Sequence, residues 1–266
     1  MPTLAETYDE RYYAGHSTGS YESALVVLPI VFEQLGMPAS ILDVGCGVGT
    51  WLKAAQDLLG NVETLGVDHP QPNRSSSPPG SSKRGAKLGA PPLLIAEHEF
   101  LGADLSQPLD LGRKFDLVLS LEVAEHLEAK FAGQFVQNLV RHGDAVVFSA
   151  AIPGQGGRYH LNERFPAYWI EQFATAGFTC YDTLRPRLWL REDLEFWYQQ
   201  NLLIFGRAPN ERLAALPSYR GEPLVHPYLI KQRLNRGWAQ LTKPLRRRLL
   251  KALGLPRYRK MHIEQW

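Results

Sequence analysis

Apolar and polar positions along this chain switch between two periods, and the switching predicts its elements. From residue 21 to 36, Leu25, Leu28, Val31, Phe32 and Leu35 recur at helical spacing. Short apolar runs then alternate with helical stretches. Ser40–Val44 reads as a buried strand, Thr50–Leu59 as a helix stopped near Gly60, and 62–67 as a second strand closing on Asp68. A third strand is expected at 99–102, before Asp104, and a fourth at 115–121. Residues 129–141 read as a helix, Ala145–Ser149 as a fifth strand, and 166–176 as a helix started by Pro166. Two last strands fall at 178–184 and 202–207. Such βα alternation predicts a doubly wound, parallel α/β sheet with helices on both faces.

One stretch breaks the rhythm. Residues 70–92 hold Ser75-Ser-Ser-Pro-Pro-Gly-Ser-Ser82 and four basic residues without apolar periodicity, so a flexible insertion is expected, either a surface loop or a lid. Past residue 208 the composition shifts again. Leu241, Leu245, Leu249 and Leu253 form one stripe of a helical candidate at 242–253, flanked by Arg246, Arg247, Arg248 and Lys251. The organisation expected is therefore a helical cap at 1–39, a catalytic body at 40–208, and a basic helical extension at 209–266.

Net charge changes that picture in one respect. The overall +2 conceals 13 Lys/Arg against 3 Asp/Glu in 209–266, a balance of +10, which leaves −8 on the rest. The basic segment suits packing on the acidic body, contact with an anionic membrane surface, or nucleic-acid binding, in that order. No apolar run approaches the roughly 20 residues a membrane span needs. The polar, acidic start lacks the pattern of a secretory signal. Cys46 and Cys180 are the two cysteines, and Cys46 sits within a glycine loop, so a reducing cytoplasm is expected.

Candidate chemistry begins at the first strand, which runs into Asp43-Val-Gly-Cys-Gly-Val-Gly49 and then a helix. Glycines permit a tight turn and close approach of a ligand, and the helix start offers free N–H groups. The spacing is G-x-G-x-G rather than the dinucleotide pattern G-x-G-x-x-G. About 20 residues on, Asp68 ends the second strand, where a carboxylate can take both ribose hydroxyls. Asp104 follows the third.

From Ser40 to Arg207 the sequence resembles the class I S-adenosylmethionine-dependent methyltransferases. The resemblance implies that Asp43, Gly45, Cys46, Gly47 and Gly49 cup the methionine part of the cofactor. It makes Asp68, with His69 beside it, the ribose side and Asp104-Leu105 the adenine side. Leu121 and Glu122 would flank the transferring methyl group. It also implies a seven-stranded sheet whose last strand is antiparallel and inserted beside the fifth. Trp51 is a candidate to shield the cofactor or to fill the core. Tyr13 and His16 are candidates to fold over the cofactor, as aromatic segments do in related enzymes, or to pack on the surface.

After the fourth strand comes Ser120-Leu-Glu-Val-Ala-Glu-His-Leu127, at the sheet edge where open α/β folds bind ligands. Glu122, Glu125 and His126 make a workable set for a divalent cation such as Mg2+. The loop after the fifth strand, with Gly154, Gly156, Gly157, His160, Asn162 and Glu163, must lie over the same edge. This Glu-x-x-Glu-His pattern resembles ubiquinone-pathway O-methyltransferases and the enzymes that methylate the terminal 2′-hydroxyl of small RNAs. It implies metal ligation by Glu122, Glu125, His126 and His160. A metal-free site is the alternative, with His126 or His160 as general base and Glu122 touching substrate. The stretch from Ser149 to Trp169 also resembles bacterial methyltransferases of glycan and natural-product pathways.

Between the last strands, Arg185 and Arg187 are candidates for an anionic substrate group, with Trp189 and Trp197 as ring-stacking partners. A surface Arg pair with core tryptophans, on an exposed sheet edge, is the plainer expectation. The function expected is O-methylation of a small-molecule or sugar-like acceptor. RNA 2′-O-methylation and a non-catalytic cofactor-binding module are the alternatives. The sequence leaves the oligomeric state open.

Overall fold

The computed structural model describes residues 10–70, 92–207, 211–214 and 216–234, with side chains of the first helix described from residue 19. Most of the 70–92 insertion and the helical candidate at 242–253 lie outside the described residues. The chain divides into a unit ending at Leu224 and one starting at Val225, whose described part is helical over 227–234.

Helix α1 (Glu10–Leu35) leads into β1 (Ser40–Val44), α2 (Thr50–Leu59), β2 (Glu63–Asp68) and β3 (Phe100–Gly102). Then follow β4 (Leu117–Leu121), α3 (Ala132–Arg141), β5 (Ala145–Ser149), α4 (Pro166–Thr175) and β6 (Phe178–Tyr181). Two short helices, α5 (Arg185–Leu188) and α6 (Phe196–Asn201), precede β7 (Leu203–Arg207), and α7 (Glu211–Ala214) closes the unit's named elements.

Seven strands form one sheet in the order β3-β2-β1-β4-β5-β7-β6. β1, β4 and β5 are buried along their whole length. This is what an apolar run covered on both faces requires. One apolar cluster joins α1, α2 and α6 to one face, through Leu28, Trp51, Leu119 and Tyr198. The other joins α3 and α4 to the opposite face, through Phe135, Leu139, Phe148 and Phe173. The sheet is mixed rather than wholly parallel, because β7 runs antiparallel to both β5 and β6.

Register positions the site. Val44 pairs with Val67, Asp43 with Leu119, and Leu121 with Ser149, so β1, β2, β4 and β5 release their chains at one edge. Antiparallel β7 pairs Leu203 with Phe148 and therefore starts at that same edge. Asn201, two residues before β7, is delivered beside the end of β4.

The segment after β6 corrects an expectation. Residues 185–188 are helical, not an exposed sheet edge, and Arg185 is neither a surface residue nor free for an anion. Its side chain is 1% exposed. Nε and Nη2 donate to the two Asp182 carboxylate oxygens at 2.9 and 2.6 Å, and the guanidinium lies over the Tyr219 ring. Nη1 donates to the Gln200 carbonyl. Arg187 is exposed and pairs with Glu33. Pro186 permits the helix because its missing N–H falls in the first turn. Arg185 thus ties β6 to α6, the helix that reaches the site. Replacing it with methionine strands the Asp182 carboxylate, and Arg185→Met is expected to cost about 3–5 kcal/mol in urea denaturation. A loss below about 1 kcal/mol would contradict this role.

Candidate active site

A cleft of about 380 Å³ opens at the carboxyl edge of the sheet, between the glycine loop and the loops after β4 and β5. Its wall includes Asp43, Gly45, Cys46, Gly47, Trp51, Leu121, Glu122, Glu125, His126 and His160.

The glycine loop turns through left-handed backbone at Gly45, Gly47 and Gly49, with φ of 91°, 59° and 84°. A Cβ at Gly45 would land on the Val123 side chain, and one at Gly49 would meet Ile95 at 2.8 Å. Gly49 therefore packs away from the cleft. Asp68 stands just outside the wall and holds the loop: its Oδ2 accepts Gly47 N–H at 2.6 Å and its Oδ1 accepts His69 N–H at 2.6 Å. Burial, aided by the nearby Asp68 charge, pushes the Asp43 carboxyl up to about 8. Asp104 is exposed, bonded to Ser106, and close enough to His69 to feel its charge. Leu105 is buried in the core of the opposite face. His69, Asp104 and Leu105 thus flank the cleft without lining it. Tyr13 and His16 lie on α1, and their side chains are outside the described residues.

Trp51 takes the core role. It is packed in the core, and its Nε1–H donates to the Tyr198 hydroxyl at 3.3 Å on the cleft wall. Burial pushes Tyr198 up to about 12, so it remains a neutral phenol. Trp197 reaches the wall, whereas Trp189, half-buried after α5, does not.

Glu122 leaves β4 in left-handed backbone, φ 56°. Its carboxylate accepts Gln155 Nε2–H at 2.7 Å and Asn201 Nδ2–H at 2.9 Å, and its N–H donates to Ser149. Burial raises its pKa, and the two carboxamides offset part of the rise. Gln155, Asn201 and Tyr198 were not read from the sequence as site residues. The one local signal was a glutamine between two glycines on a loop at the binding edge; the others need the antiparallel return of β7 to arrive there.

Glu125 is fully buried, and neither carboxylate oxygen makes a well-formed hydrogen bond, the Glu125 and Ala151 backbone N–H groups offsetting only part of the cost of burial. Burial, with the Glu122 charge added, holds its pKa well above the usual carboxylate range. Its carbonyl accepts Leu161 and Asn162 N–H, which draws the β5 loop over it. A ligand atom each from Glu125, His126 and His160 lie within 4.8 Å of one another. The His126 ring donates Nδ1–H to the Tyr159 carbonyl at 3.3 Å, and burial beside His160 lowers its pKa to about 4. It is therefore neutral at physiological pH. His160 pairs through Nδ1 with Glu163 at 2.9 Å. Two imidazoles beside a buried carboxylate are ligand types that can hold a divalent cation. Glu122 stands next to this trio, its own oxygens taken by Gln155 and Asn201.

A family model described as "Methyltransferase domain" matches residues 22–184. The chloroplastic tocopherol O-methyltransferase of Arabidopsis thaliana is 36% identical over 102 residues, which span 38% of this chain and 26% of that protein. Among solved structures, Streptomyces venezuelae DesVI aligns over 78% of this chain and all of its own, at 16% identity and a TM-score of 0.48. Synechocystis magnesium protoporphyrin IX methyltransferase with bound SAH aligns over 78% and 89%, at 19% identity and a TM-score of 0.46.

Two outcomes test this geometry. Asp43 stays protonated in the folded chain up to pH about 8 but ionises above its ordinary 3.8 when unfolded. The unfolded chain then binds fewer protons across that window, so stability falls as pH rises through it. Asp43→Asn is expected to flatten the fall by up to about 1.4 kcal/mol per pH unit in denaturant titrations; parallel profiles would contradict the burial. Second, a Cβ at Gly157 would land on His160 Nε2. Gly157→Ala is expected to speed amide exchange across residues 154–163 while β4 and β5 stay protected, and unchanged exchange would refute the contact.

Proposed function

The chain belongs to the methyltransferase-domain family, and from that premise we propose that it transfers a methyl group from S-adenosylmethionine to a hydroxyl of a small or sugar-like acceptor, with help from a divalent cation. One observation carries the reading: the glycine loop and the Glu125–His126–His160 trio share a single cleft.

S-adenosylmethionine supplies an electrophilic methyl group, and the chain has to hold it and align an oxygen with it. Gly45, Cys46, Gly47 and Gly49 spend their N–H groups on Val67, Asp68 and the loop's own backbone, so the first turn of α2 is what offers N–H groups to the methionine carboxylate. Asp68, fixed by Gly47 and His69, would take the ribose hydroxyls. Asp104 would take the adenine amino group. Glu122, clamped by Gln155 and Asn201, borders the position of the methyl group.

Glu125, His126 and His160 would hold the cation, whose charge lowers the pKa of an acceptor hydroxyl. Two imidazoles favour Mn2+ over Mg2+, though both are candidates. Trp197 offers a face against which an acceptor ring can stack. The partial match to a curated O-methyltransferase supports oxygen as the acceptor atom. Cys46 and Cys180 are buried and form no disulfide among the described residues, which suits a cytoplasmic setting. No described helix is long and apolar enough to cross a membrane.

The +10 balance of residues 209–266 favours a second reading, 2′-hydroxyl methylation at RNA ends through the same trio. Binding of a short RNA that weakens steeply between about 50 and about 200 mM salt would support it over the small acceptor.

Asp68→Ala is expected to weaken S-adenosylhomocysteine binding at least tenfold in calorimetry, about 1.4 kcal/mol; wild-type affinity would overturn the cofactor assignment. With any acceptor found by screening phenols and sugars for S-adenosylhomocysteine release, EDTA should slow turnover about 100-fold and Mn2+ restore it. Turnover indifferent to EDTA would remove the cation from the reading.

A further inference from the structure

The loop after β5 closes on a single side chain. Glu163 Oε2 accepts Gly154 N–H at 2.7 Å, while Oε1 accepts Gly156 N–H at 2.7 Å and pairs with His160 Nδ1 at 2.9 Å. Between those glycines, Gln155 turns to Glu122. The loop needs left-handed backbone at Gly154, Gly156 and Tyr159, with φ of 88°, 69° and 56°. Such a path persists only where the surroundings over-determine it. Glu163 supplies that determination, since its two oxygens take Gly154 N–H, Gly156 N–H and His160 Nδ1 together. A carboxylate paired with Nδ1 favours the Nδ1–H tautomer of His160, as an outer carboxylate does for a metal-ligating imidazole.

We propose that Glu163 is a positioning residue: one carboxylate fixes both the Gly154–Gly157 backbone over the cleft and the tautomer of His160, so that Nε2 faces Glu125 and His126. Its consequence for cation affinity rests on the reading of the trio given above; its consequence for the tautomer does not. Gly157 completes the device, since it has no Cβ to cover Nε2. Glu163 itself stays outside the trio and acts through His160.

The experiment reads the imidazole nitrogens directly, by long-range proton–nitrogen NMR on metal-free, full-length protein labelled at histidine, with His160→Gln to assign the signal. His160 is expected as the Nδ1–H tautomer in the wild type and to lose that preference in Glu163→Gln. A wild-type Nε2–H tautomer, or an unchanged tautomer in the variant, would overturn the proposal. The wild-type spectrum decides even if the variant does not fold. Titration with Mn2+ alone is expected to show about 10–100-fold weaker binding to Glu163→Gln. Equal affinity in the two proteins would overturn the proposal as well. Absence of Mn2+ binding to the wild type would overturn the cation reading and leave Glu163 to be judged by the tautomer.

Discussion

A carboxylate shut away from water, with no well-formed hydrogen bond on either oxygen, is neutralised by a proton or by a cation. Glu125 is held in that condition by the ends of β4 and β5. Its backbone carbonyl is capped by Leu161 and Asn162, its side is flanked by His126 and His160, and the adjacent Glu122 makes a bare charge still less favourable. A core with that defect would ordinarily lose stability to an apolar substitute. Here the defect faces a cleft beside a cofactor loop, where a bound cation would relieve it.

Placement of this group depends on the strand that breaks the parallel pattern. Because β7 enters at the carboxyl edge, α6 ends there too, and Asn201 and Tyr198 reach Glu122 and Trp51 respectively. On the far side Arg185, sunk among Asp182, Gln200 and Tyr219, anchors α6 to β6. Helix α1 closes the same corner: Ser20 lies 3.3 Å from the Tyr198 hydroxyl and Ser23 accepts Glu195 N–H. The polar clamp on Glu122 is therefore assembled from segments up to 79 residues apart in sequence.

Local sequence signals carried much of this architecture. β1 and β5 fall where continuous apolar runs put them, because both of their faces are buried, and α2 falls where a one-sided apolar run between Gly49 and Gly60 put it. Glu125, His126 and His160 were legible as candidate ligands because short loops at one sheet edge have to meet. Arg185 was misread, since an arginine between apolar residues looks the same in sequence whether it faces solvent or a buried aspartate. α5 and α6 were missed because helices of 4 and 6 residues are too short to show a period. The Gln155–Asn201 clamp and the grip of Glu163 on its loop left no pattern either, being contacts that only the tertiary fold creates.

The central claim is that the cofactor loop and a cation site share one cleft. Crystals grown with S-adenosylhomocysteine and Mn2+, measured near the manganese absorption edge, test it most directly. An anomalous peak bounded by Glu125, His126 and His160, with the ligand's sulfur over the glycine loop, is the expected result. Sulfur density in the cleft with no anomalous peak, and Glu125 making a hydrogen bond as a neutral acid, would contradict the account.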